Sequence, residues 1–106
     1  MNWIEILNKL KPAEYNYNKL GQEKTGLNDK KSFGFTTQDL EKIFPIEEYN
    51  IVTEDEHGYK QVNYYQLIPI LCRIIQEQQK KLDEIIYIIK TNNLVLPAKT
   101  SLLLES

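Results

Sequence analysis

The chain has 106 residues, of which 42% are hydrophobic and 26% charged, with 13 basic and 15 acidic side chains and a net charge of −2. This composition is typical of a soluble globular protein, and its charge balance argues against binding to nucleic acid or to an anionic membrane surface. A domain of this size buries only a modest core, so contacts with a partner chain would matter for its stability.

Targeting and redox signals are sparse. Cys72 is the only cysteine, which excludes an intrachain disulfide and suits a reducing compartment. Residues 1–10 are too polar for a signal peptide, and the apolar stretch at residues 85–89 is too short to span a bilayer. We therefore expect a protein that is made in the cytoplasm and does not enter a membrane.

The N-terminal third predicts a helix, a strand and a loop. Residues 2–10 carry apolar side chains at near-helical spacing, and Pro12 ends this helix. Residues 13–17 predict a strand with its tyrosines on one face. Residues 19–32 are polar and interrupted by two glycines, so we expect a mobile loop there.

The middle of the chain predicts a strand, a helix and a hairpin. Residues 33–35 form the expected short strand, and Thr36 is a candidate N-cap for a helix that runs to Ile43. Residues 51–53 and 59–62 are predicted strands on either side of an acidic turn that ends at Gly58, which is typical of a β-hairpin.

The longest predicted element is a helix over residues 64–90. Asn63 can cap its start, with Gln66 three residues later, and Pro69 lies close enough to the start to be tolerated with a local bend. At about 1.5 Å per residue the helix would be on the order of 40 Å long. In the tail that follows, the leucines at residues 102–104 should pack on another surface.

Along this helix, seven residues recur at alternating spacings of three and four, which is the a/d pattern of a coiled coil. We call this set the seam: Ile68, Leu71, Ile75, Gln78, Leu82, Ile85 and Ile89. Isoleucine at three of the four a positions and at one of the three d positions favours more than two strands, and we expect a trimer. Polar and charged residues between the seam positions suit water or pairing between chains: Arg73, Gln76, Glu77, Gln79, Lys80, Lys81, Asp83 and Glu84.

Two alternatives stay open for this helix. Gln78 either forms a buried polar layer that sets register and oligomer number or marks where the seam turns to solvent. The whole stripe could also be buried in its own domain, an alternative that the off-seam residues Ile74, Ile86 and Ile88 favour. Against this, a helix of about 40 Å is longer than so small a domain can cover.

The sequence therefore predicts an α+β fold with short strands, a β-hairpin and a long C-terminal helix that forms a trimeric coiled coil. We divide it into a small α+β domain at residues 1–65, a coiled-coil helix at residues 66–90 and a C-terminal tail at residues 91–106, together one structural unit.

A series of short motifs resembles a known family. The residues that carry the likeness beyond the early segment at residues 10–17 are Phe33, Gly34, Phe35, Gln38, Phe44, Pro45, Gly58, Tyr59, Asn63, Tyr64, Leu67 and Pro69. In order and spacing they resemble the C-terminal intramolecular chaperone domain of endosialidase-type phage tail spikes and tail fibres. Asn63 stands where that family usually has aspartate.

The resemblance implies a homotrimer that assists folding of the fibre or spike region upstream in the same polypeptide. It also implies assembly in the host cytoplasm, with the domain remaining on the virion tail if it is retained. Family members cut themselves with a serine and a lysine, but no Ser-Asp pair with a following lysine occurs in this sequence. We therefore expect no catalytic residue here. The alternatives are part of a self-cleaving serine endopeptidase whose nucleophile lies upstream, or a monomeric helical adaptor.

Other chemistry finds little support in the sequence. The single histidine, His57, lies in the predicted turn and far in sequence from any serine. Glu54, Asp55 and Glu56 lack calcium-loop spacing and are expected to form a solvated hairpin tip. Cys72, beside the seam, is expected to be a small buried hydrophobe. We predict no metal site and no cofactor.

Overall fold

Helices and short strands alternate in the computed structural model, which describes residues 1–92. In chain order they are α1 (Trp3–Lys9), β1 (Ala13–Asn16), α2 (Lys19–Thr25), β2 (Lys31–Gly34), α3 (Thr37–Ile43), β3 (Val52–Glu54), β4 (Lys60–Val62) and α4 (Tyr64–Thr91). The predicted α+β class with a long C-terminal helix is confirmed. The predicted packing of residues 102–104 lies outside the described residues.

Polar side chains cap the first and third helices, and the sequence predicted the second of these caps. Asn2 precedes α1, and its Oδ1 accepts a hydrogen bond from the Glu5 N–H at 3.1 Å. Thr36 Oγ1 accepts one from the Asp39 N–H at 3.2 Å, which confirms it as the N-cap of α3. Each cap satisfies an N–H group that the helix itself leaves without a partner.

The loop predicted at residues 19–32 was wrong, because its first half is α2. Asn18 caps this helix by accepting from the Gly21 N–H at 2.8 Å. Gly26 ends it in the left-handed conformation at φ 75°, a typical helix C-terminus. The two glycines that suggested a loop therefore have different roles, since Gly21 is buried against the ring of Tyr17 inside the helix.

Two small antiparallel hairpins make up the β structure. In the first, β1 pairs with β2 so that Ala13 lies opposite Gly34 and Tyr15 opposite Ser32. In the second, β3 pairs with β4 around a turn in which Gly58 has φ 81°, as the sequence predicts. The strand expected at residues 33–35 instead begins two residues earlier and ends before Phe35.

The core lies between α1, α3, the second hairpin and the first turns of α4. Its buried members are Ile6, Leu40, Phe44, Ile51, Val52, Leu67 and Ile74. The helix α4 has 28 residues and so extends roughly 42 Å, but its buried residues are confined to the first half. The radius of gyration is 19.5 Å, against about 13 Å for a compact chain of this length, because the second half of α4 projects from the domain.

The start of α4 is where the sequence predicts, but its cap differs. The Asn63 side chain makes no capping hydrogen bond. Its backbone N–H instead donates to the Ile51 carbonyl at 2.7 Å, and its carbonyl accepts from the Gln66 N–H at 3.1 Å. The bond to Ile51 ties the helix start to the residue that precedes β3, and the bond from Gln66 closes the first turn of the helix. Within residues 1–92, no helix is long and apolar enough to cross a membrane.

Candidate self-association surface

Two rows of aliphatic side chains run side by side along the first half of α4. The docked row consists of Leu67, Ile70 and Ile74. The first three residues of the seam, Ile68, Leu71 and Ile75, each follow one of these by one position. Since successive residues are rotated by about 100° around a helix, the two rows face different directions.

The docked row is covered by the chain's own domain. Leu67 and Ile74 are 3% and 2% exposed, and α4 packs here against α1. At the rim of this contact, the Arg73 guanidinium lies 5.8 Å from the centre of the Trp3 ring, within the range of a cation–π interaction. The packing of α4 against α1 holds the first half of the helix at a defined angle to the domain.

The seam is exposed. Ile68 and Ile75 are 62% and 63% exposed, and Leu82 and Ile85, more than a turn beyond the docked row, are 51% and 52% exposed. Leu71 and Gln78 are also exposed, and Ile89 is half-buried. An exposed ridge of this length, apolar except at Gln78, is a typical interaction site.

The positions on either side of the seam, called e and g in a coiled coil, carry few charges. They are Tyr65, Cys72, Gln79 and Ile86 on the e side and Leu67, Ile74, Lys81 and Ile88 on the g side. Lys81 is the one charged residue among them, so the ion pairing expected between chains has little support. Cys72 is exposed rather than buried, because the domain covers only the g side of this part of α4.

The far end of α4 is apolar on every side. Tyr87 and Ile88 are 70% and 54% exposed, and they lie off the seam, between Ile85 and Ile89. A helix that is hydrophobic all round is ordinarily buried. Off-seam apolar residues here are therefore not explained by the domain, which does not reach this end of α4.

Three tyrosines join the first hairpin to the start of α4. The Tyr64 hydroxyl accepts a hydrogen bond from the Phe35 N–H at 3.0 Å, and the Tyr15 and Tyr17 hydroxyls lie 3.1 Å apart. Burial raises the pKa of the Tyr15 phenol, and hydrogen bonds with Tyr17 and Tyr64 raise it further. A Cβ at Gly34 would overlap the hydroxyls of Tyr15 and Tyr64, so glycine is required for this close approach.

The remaining motif residues have structural positions. Phe44 and Leu67 lie in the core, and the Pro45 carbonyl accepts hydrogen bonds from the Glu48 and Tyr49 N–H groups at 3.0 and 3.1 Å. Outside the core, the exposed members are Phe33, Gln38, Gly58, Tyr64 and Pro69. The motif therefore mainly holds the hairpins against α4.

An apolar concavity of about 240 Å³, which we call the notch, lies at the N-terminal end of the seam. It is lined by Phe35, Tyr64, Tyr65, Leu67, Ile68 and Leu71. Sequence reasoning missed the notch, because Phe35 is distant from α4 along the chain. Only the a/d spacing, extended back by one step to Tyr64, hints that the seam continues there.

A larger cleft of about 520 Å³ separates the first hairpin and α2 from the second hairpin. Ion pairs border it: Lys24 lies 3.1 Å from Asp55, and Lys60 lies 2.8 Å from Glu41. The hydrogen bond with Glu41 raises the pKa of Lys60. No cluster of three or more histidine, cysteine or acidic residues that could hold a metal occurs in the part of the chain that the structure describes.

Comparison with known proteins gives a match to a family model. Residues 1–47 match the model of the family described as chaperone of endosialidase. This match confirms the resemblance, over the early segment at residues 10–17 and the segment at residues 33–45. The later motif segments and the seam lie beyond the matched range. Neither the curated proteins nor the solved structures contain a significant match to the chain.

Proposed function

We propose that this chain is a trimerisation domain. Its residues 1–47 match the chaperone-of-endosialidase family, and this match supports a chaperone role in phage tail protein assembly. Three copies associate through the seam and hold together the three chains of a tail fibre or tail spike. The partners are thus two further copies of the chain and the upstream region of the same polypeptide. Assembly takes place in the host cytoplasm.

One observation carries the proposal: the seam residues are spaced as a coiled coil and are exposed along α4. Fully burying a leucine or isoleucine contributes about 1.5–3 kcal/mol. Four seam residues that are more than half exposed, Ile68, Ile75, Leu82 and Ile85, leave much of this free energy available for association.

The residue types at the a and d positions of the seam favour three copies over two. Isoleucine occupies three of the four a positions, and its β-branched side chain together with Ile85 at a d position favours more than two strands. Gln78 lies at the centre of the ridge, where a polar layer shared between copies lowers stability but restricts register and number.

Trimerisation assists folding by raising the local concentration of the upstream chains. Pairing strands from three separate chains requires the ends of long segments to meet, which is slow because of the entropy lost. A helical bundle forms from local contacts and then keeps the three upstream segments within reach of one another. The domain therefore acts before the fibre folds.

Sedimentation equilibrium of the purified chain tests the proposal. We expect the mass of three copies at tens of micromolar protein. Ile85→Asp should reduce this to the mass of one copy, because the carboxylate would enter a desolvated seam. A wild-type chain that sediments as one copy at these concentrations would contradict the proposal.

Tyr87→Asp is the matched control. Tyr87 is more exposed than Ile85, at 70% against 52%, and lies two residues further along the same helix on the face opposite the seam. The control should keep the mass of three copies. Equal loss of association in both variants would show that overall apolarity of this end of α4, rather than the seam, drives association.

A further inference from the structure

The notch shares two of its residues with the seam. Ile68 and Leu71 line it and are also the first a and d residues of the ridge. Whatever covers the seam therefore also faces the notch. The lining contains no charged side chain, so its occupant must present an apolar or aromatic surface.

Tyr65 is the most exposed of the large hydrophobic residues on α4, at 84%. It occupies an e position, one turn before Ile68. In a parallel coiled coil, the e side of one helix faces the g side of the next. The notch extends across this helix from Tyr65 on its e side to Leu67 on its g side, and Phe35 lines it from outside the helix. Tyr65 of one copy would thus face the notch of its neighbour.

We propose that the notch binds the Tyr65 side chain of an adjacent copy. Three equivalent contacts then form a ring around the N-terminal end of the three α4 helices. This inference rests on the proposed function, since it requires the seams of three copies to meet. It adds a contact between the helix of one copy and the α+β domain of the next. A tyrosine suits this place because it has a large apolar ring with few rotatable bonds.

This contact makes assembly depend on the folding of each domain. Phe35 lines the notch from outside α4, and its N–H is held by the Tyr64 hydroxyl at 3.0 Å. A copy whose first hairpin has not folded lacks this part of the notch. Its helix could still present the seam, but it could not receive the neighbour's tyrosine. The ring therefore discriminates against chains with an unfolded domain.

Replacement of Tyr65 by alanine measures the contribution of the ring. We expect Tyr65→Ala to weaken association of the full chain by about tenfold or more in sedimentation equilibrium, as for a central interface aromatic residue. Tyr87→Ala is the matched control, because it removes the same side chain from the same helix at a position away from both seam and notch. It should leave the association constant within about threefold of wild type.

Photo-crosslinking identifies the contact directly. Tyr65 is replaced by p-benzoylphenylalanine, and equal amounts of ¹⁵N-labelled and unlabelled chains are mixed, irradiated and digested for mass spectrometry. Peptides that combine both isotopes come from two different copies. We expect such mixed crosslinks between position 65 and the peptide that contains Phe35.

The outcomes separate this inference from the proposed function. A wild-type chain that is monomeric would overturn both. A stable trimer in which Tyr65→Ala associates like wild type, or in which crosslinks from position 65 never reach the domain of another copy, would overturn the ring and leave the seam in place.

Discussion

The two rows on α4 have almost the same chemistry but different environments. The docked row of Leu67, Ile70 and Ile74 is covered by α1 and the core, whereas the seam, one residue further along, is exposed. Hydrophobicity alone therefore does not say whether a residue stabilises the domain or an assembly. The direction in which each side chain leaves the helix decides this, and α1 decides which direction is covered.

This difference divides the free energy of burial between two processes. The docked row contributes to folding of a single chain at any concentration. Under the proposed function, the seam contributes only when copies meet, so its contribution depends on concentration. Substitutions at neighbouring positions should therefore affect different measurements, which allows the comparison to be tested.

The largest expected difference is between Ile74 and Ile75. In an Ile85→Asp background, which is expected to be monomeric, Ile74→Ala should lower the free energy of unfolding by about 2–4 kcal/mol, because it leaves a cavity beneath α1. Ile75→Ala should change it by less than about 0.5 kcal/mol, since this side chain is already in water. Urea unfolding followed by Trp3 fluorescence measures both values.

The order of the two effects should reverse when association, rather than unfolding, is measured. Without the Ile85→Asp background, Ile75→Ala should weaken the trimer while the domain remains folded. Similar losses of unfolding free energy for both variants in the monomeric background would show that the two rows are not distinct.

A smaller effect is expected at the junction of the first hairpin with α4. In the same monomeric background, Gly34→Ala should lower the free energy of unfolding by about 1–3 kcal/mol, because the added methyl group meets the hydroxyls of Tyr15 and Tyr64. Ser32→Ala, on the same strand and opposite Tyr15, is the control and should cost less. Thermal unfolding followed by circular dichroism measures the difference. A neutral Gly34→Ala would mean that the tyrosines do not fix the hairpin to the helix.

Much of this arrangement could be predicted from the sequence, where the signals are local. Thr36 predicted the cap of α3, Gly58 predicted the turn of the second hairpin, and α4 begins directly after Asn63. These features depend on interactions within a few residues. The spacing of the seam is of the same kind, since it follows from helical periodicity alone.

What the sequence missed depends on contacts between distant segments. The helix α2 was mistaken for a loop because Gly21 weakens a helix in isolation, whereas here it allows the Tyr17 ring to pack closely. The notch requires Phe35 to reach α4 from the first hairpin, and nothing in the spacing of Phe35 and Tyr65 indicates this. Likewise, Cys72 is exposed because α1 covers the other side of the helix.

The smallest expected effect is a pH dependence of the stability of the domain that the association through the seam should not share. Hydrogen bonds to the Asp55 carboxylate, first from the Tyr59 N–H at 2.9 Å, then from Lys24 and the His57 N–H, lower the pKa of this residue below its usual value. A lowered pKa means that Asp55 stabilises the folded domain above its unfolded pKa, near 3.9, and that this contribution is lost as pH falls through the folded pKa.

Acid should therefore weaken the domain of the wild type more than that of Asp55→Asn. In the Ile85→Asp background, thermal melting at pH 7 should place Asp55→Asn below its parent, and the gap should narrow as pH falls through about 4. Glu56→Gln is the control, since this neighbouring carboxylate is exposed and its contact in the turn is with the exposed His57 ring at 3.5 Å, not with a backbone N–H. If the gap instead stays constant from pH 7 to pH 3, the charge of Asp55 does not hold the turn. Because the e and g positions that flank the seam carry only Lys81, the association constant should not share this dependence on the Asp55 carboxylate.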